Sequence, residues 1–306
     1  MKLDGAADPA NALARWPLVR AAAVVVHDRS QIEQLFHSRA LDALSGLFVE
    51  LATPPSASRI IHPLGLRALG LGAALDDHLA ARDLAALRAF GSNAVEVDLF
   101  THLPLLARLE RLHIPGVRMT RAQTHGLFAR TPRLRALSLQ THDENILDLI
   151  PAGVVELTTD LVDDHELAAL ARSPAAATLD RLALFGRIDS DLRPLAALAR
   201  VRSLDLAHLV LDDDRRSVLA ELALPALSEL SLGGPRNPAM LQAIARAFGP
   251  QLALLEVPAD LSIDALAPSV AGATRANRTS PWRELAIAAT PREPWLSRMV
   301  VEAWDR

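Results

Sequence analysis

One phrase, L-x-x-L-x-L, recurs along this chain and restricts its fold more than any other feature. It stands at Leu66–Leu71, Leu109–Ile114, Leu134–Leu139, Leu179–Leu184, Val201–Leu206, Leu227–Leu232 and Leu252–Val257. Looser copies start at Leu44, Ala94, Val154 and Trp282. The second half of the phrase alternates apolar and polar residues, the pattern of a strand with one buried face. Nine steps carry it from Leu44 to Leu252, on average about 23 residues each. A fixed phrase at a near-fixed period marks a solenoid, which grows by adding units rather than by enlarging one core.

Helical patterns fill most of the gaps. They run over Leu79–Phe90, Arg121–Arg130, His165–Arg172, Leu192–Arg200, Arg215–Leu224 and Pro238–Phe248. The step from Ala94 to Leu109 is too short for a helix. Pro104 beside Leu103, Leu105 and Leu106 predicts a tight turn or a bit of 3₁₀ helix there.

These phrases resemble the leucine-rich repeat family over residues 44 to about 290. The resemblance implies an α/β solenoid, a horseshoe with a concave parallel sheet and convex helices, used as a protein-recognition scaffold. The second half of the family's repeat departs. The family's Asn or Cys is replaced by Ala74, His102, Val117, His142, Val162, Arg187, Leu209, Pro235 and Asp260. No asparagine ladder is therefore expected.

The ends of a solenoid need covering. Residues 1–43 read as an N-terminal helical cap, with one helix opening at Pro17 and running to Val26, and a second over Gln31–Leu44. Residues 291–306 read as a C-terminal capping helix. Leu296, Val300 and Trp304 share one face at i, i+4 and i+8, while Trp295 pairs with Met299 on another side.

Composition narrows the function. The net charge is −4 and the pI about 6.2, against a general affinity for nucleic acid. There is no cysteine, hence no disulfide framework and no thiolate metal site. Lys2 is followed by Asp4 and Asp8, and the apolar run Ala21–Val26 is short, unlike a secretory signal. No apolar stretch reaches the roughly 18–20 residues of a membrane span. A cytoplasmic protein is expected. Lys2 is the only lysine and Ala, Leu and Arg dominate, the bias of a G+C-rich bacterial genome.

Catalytic motifs are missing. There is no G-x-S-x-G and no phosphate-binding loop; His165-Glu166 starts an H-E-x-x-H but Ala169 replaces its second His. The acidic groups Asp76-Asp77, Asp163-Asp164 and Asp212-Asp213-Asp214 fall where the helix of each repeat starts, and read as N-caps. Thr120 and Gln123 have the spacing of a capping box. His102 and His142 lie two repeats apart, nearly 10 Å in a sheet, too far to share a zinc ion. No enzyme, cofactor or metal is expected.

The informative surface is the open face of the sheet. Its outward positions hold Glu50, Glu96, Asp98, Glu156, Asp160, Asp205, Glu229, Glu256 and Glu284, against Arg111, Arg181 and His113, with Phe48, Phe100 and Phe185 among them. Stacking like charges on neighbouring strands is unfavourable, which points to a basic partner. The expectation is a non-catalytic adaptor that binds a basic protein segment there. The alternative is an accessory subunit of an enzyme complex, docked through its terminal helices.

Overall fold

A computed structural model describes residues 2–3, 8–15, 21–26, 31, 34–35, 38–39, 41, 44–51, 68–71, 86–92, 104–114, 118–140, 146–161, 165–187, 191–210, 218–232, 238–256 and 274–275. The chain divides into two compact units. The first comprises Met1–Val117, Ala129–Leu134 and Thr279–Arg306; the second comprises Arg118–Phe128 and Arg135–Arg278.

In the first unit the described strands are β1 (Lys2–Leu3), β2 (Ala21–Val26), β3 (Gly46–Leu51), β4 (Ala68–Leu71), β5 (Ala89–Ser92) and β6 (Arg111–Ile114). The second holds β7 (Ala136–Leu139), β8 (Glu156–Leu161), β9 (Arg181–Arg187), β10 (Ser203–Val210), β11 (Glu229–Leu232), β12 (Leu254–Glu256) and β13 (Thr274–Arg275). Within each unit every strand pairs in parallel with its chain neighbours. Parallel strands in chain order, one per repeat, are the architecture of a leucine-rich repeat solenoid.

Register explains the phrase. In the second unit Leu137, Leu157, Leu182, Leu204, Leu230 and Leu255 are partners from strand to strand. All six are buried. This row is the middle leucine of the phrase, stacked six deep. In the first unit the corresponding row runs Ala22, Leu47, Leu69, Phe90, Leu112. A fully buried aliphatic side chain stabilises by about 1.5–3 kcal/mol, so each repeat is held mainly by its inward residues.

A second recurrence sits just before each strand. The carbonyl of the phrase's second residue accepts two N–H groups from the next repeat. Arg135 O accepts from Val155 (2.8 Å) and Glu156 (3.0 Å), and Val155 O from Asp180 (2.9 Å) and Arg181 (3.0 Å). Asp180, Arg202, Ser228 and, in the first unit, Arg88 repeat the arrangement. Side chains at this position also meet: Arg88 Nε lies 4.0 Å from Glu110 Oε1, and Arg202 Nε lies 3.4 Å from Asp180 Oδ1. These pairs are exposed, and such pairs add at most about 1 kcal/mol each.

The return segments mix helix types. Arg121–Arg130, Glu166–Arg172 and Pro238–Phe248 are α-helices, as their patterns predict. The Thr120–Gln123 capping box forms: Thr120 N–H donates to Gln123 Oε1 at 2.9 Å, and Gln123 N–H to Thr120 Oγ1 at 3.3 Å. Pro104–Arg108 is the expected 3₁₀ turn. The segment read as a helix over Leu192–Arg200 is instead 3₁₀ at Arg193–Ala197. Leu192, Leu195 and Leu198 are three apart and all buried, which suits three residues per turn better than 3.6. At the start of Glu166–Arg172 the N-cap is His165, with no side-chain cap bond; Asp76, Asp77, Asp163, Asp164 and Asp212–Asp214 lie outside the described residues.

Two further expectations are corrected. Ala21–Val26 is strand, not the helix of an N-terminal cap: it pairs residue for residue with Gly46–Leu51. Its unbroken apolar run has no period to distinguish helix from strand, and its three valines favour the sheet. The repeat assigned to Ala94 begins at Leu87, because β5 spans Ala89–Ser92 and Phe90, fully buried, fills the middle-leucine row. The apparent short step then vanishes, since Leu87 stands 21 residues after Leu66 and 22 before Leu109. Glu96, Asp98 and Phe100, placed on that strand by the phrase at Ala94, lie outside the described residues. So do Glu284, Trp282, Trp295 and Trp304.

Candidate binding face

The open face is best described in the second unit. Along β8 the burial alternates strictly: Glu156, Thr158 and Asp160 are half-buried, and Leu157, Thr159 and Leu161 are buried. β11 repeats this with Glu229 and Ser231 outward over Leu230 and Leu232. On β9, Arg181 is exposed and Ala183 and Phe185 are half-buried; on β10, Ser203 and Asp205 are half-buried.

Register sets out three rows across these strands. The first reads Ala136, Glu156, Arg181, Ser203, Glu229 and Leu254. The second reads Ser138, Thr158, Ala183, Asp205, Ser231 and Glu256. The third places Asp160 beside Phe185, and Phe185 beside His208. Neighbours in a row are about 4.8 Å apart.

The expected stacking of like charges does not occur in these rows. Glu156 stands next to Arg181, Ser203 separates Arg181 from Glu229, and Ser231 separates Asp205 from Glu256. Counting acids against arginines along the chain ignores register. Register interleaves them with Ser, Thr and Ala and removes the electrostatic penalty. The rows remain acidic: they hold Glu156, Asp160, Asp205, Glu229 and Glu256 and, among these row residues, one arginine, Arg181.

The ladder is irregular at one end of this face. Pairing between β9 and β10 shifts between Asp205 and His208. Asp205 Oδ1 accepts the Ala207 N–H at 2.9 Å, fastening the shift. Across the strand, Gly186 adopts φ +99° directly after Phe185. Bulges of this sort re-aim side chains. The glycine is required, since an added Cβ would stand 3.1 Å from the Leu161 carbonyl oxygen.

The first unit differs. Register aligns the corresponding positions there as Ala21, Gly46, Ala68, Ala89, Arg111 and as Ala23, Phe48, Gly70, Gly91, His113. Small residues dominate these two rows, and the acid of β3, Glu50, stands two residues on from Phe48, paired with Val25. Arg111 is half-buried. His113 corrects the expectation of an exposed contact residue: it is 5% exposed. Burial pushes its imidazole pKa down to about 3, so the ring is neutral. Sequence reasoning also missed the paired charges of the phrase's second position, which a column of the aligned repeats would have shown.

Among the described residues no helix is long and apolar enough to cross a membrane. No protein-family model matches the chain, and no curated protein matches it. Solved structures similar to it include an internalin C2 from Listeria monocytogenes, at 16% identity and a TM-score of 0.37, covering 63% of this chain and 81% of that one. An internalin from the same organism, inlF, matches at 15% identity and a TM-score of 0.39 over 89% of each chain.

Proposed function

We propose that this chain is a non-catalytic protein-recognition module, and that the open face of β8–β11 receives a basic segment of its partner. The solenoid supports this by analogy alone, since fold does not dictate function. The observation that carries it is the charge of one face: four carboxylates, Glu156, Asp160, Asp205 and Glu229, against Arg181, around the half-buried ring of Phe185. Such a face steers cations by long-range attraction and anchors them with an aromatic contact.

The test uses the full chain and a fluorescent (Arg-Gly-Ser)₄ peptide in an anisotropy titration. Binding should weaken steeply with salt, because the attraction is screened over about 8–10 Å. The triple variant Glu156→Arg, Asp205→Arg, Glu229→Arg should lose roughly tenfold or more in affinity, with unchanged circular dichroism. Unaltered binding by the folded triple variant refutes the assignment.

A further inference from the structure

We draw no further inference here: the strongest candidate, the sheet face of β5 and β6 opposite Phe90 and Leu112, where Ala89 and His113 are each only 5% exposed, carries nothing because no described residue of the first unit shows what covers it.

Discussion

Two glycines of the second unit should respond to alanine in opposite directions. Gly186 follows Phe185 at φ +99°, where an alanine Cβ would meet the Leu161 carbonyl oxygen at 3.1 Å and the Leu161 nitrogen at 3.6 Å. Both contacts are backbone in a paired strand, so neither can swing away. Holding a non-glycine residue in such a conformation costs about 1–3 kcal/mol. Reduced freedom of the unfolded chain returns about 0.4–1 kcal/mol. Gly186→Ala should therefore lose roughly 1–2 kcal/mol. Gly126 lies inside the helix Arg121–Arg130, and nothing stands within 4 Å of its added Cβ. There alanine relieves glycine's entropic cost, and Gly126→Ala should gain about 0.5–1 kcal/mol. Urea unfolding followed by circular dichroism measures both. At a slope near 2 kcal/mol/M, the midpoint should fall by roughly 0.5–1 M in the first variant and rise by roughly 0.25–0.5 M in the second. Gly186→Ala unfolding at or above the parent midpoint would refute the strained geometry of β9. A drop in both variants would show that the helix position was misjudged.

His113 should make the fold acid-sensitive. Its folded pKa of about 3 lies below the ordinary value of 6.5, so between these pH values the unfolded chain binds the extra proton. Stability contributed by the neutral ring is full above pH 6.5 and falls by about 1.4 kcal/mol for each unit below it, down to about pH 3. Urea midpoints at pH 7.5 and 5.5 should differ accordingly, and His113→Asn should flatten the dependence; an unchanged slope in that variant assigns the sensitivity elsewhere. Thr120→Ala removes one half of the capping box and should cost about 1 kcal/mol, read as faster amide exchange at Gln123. Exchange as slow as in the parent would mean the hydroxyl contributes nothing there.

The buried half of the fold was legible because burial imposes a period. Leu182 and Leu204 must point inward, and their spacing repeats whenever a strand does. Legibility failed where that period is absent or disguised. In β5 the middle leucine is Phe90 and the last is Ser92, so the chance copy of the phrase at Ala94, seven residues on, is the more leucine-rich-repeat-like of the two. In β2 the run of Ala and Val is apolar at every position. The open face was only partly readable, because its meaning depends on which residues become neighbours. Glu156 says nothing of Arg181, 25 residues on, until the strands are paired. His113 occupies an outward position in the period and is buried all the same, beside Gly91 on a face of small residues.

The paired charges before the strands restrict how such an array can lengthen. Arg88 precedes Glu110, and Asp180 precedes Arg202, so at these two junctions a repeat carries a sign that suits its successor. A tandem copy of the repeat beginning at Leu179 would set one Asp180 against another, and a copy of the repeat at Val201 would do likewise with Arg202. Growth by simple duplication is thus penalised at these junctions, and a newly inserted repeat must bring its own compensating residue. The units of this solenoid are similar in shape but not interchangeable in order.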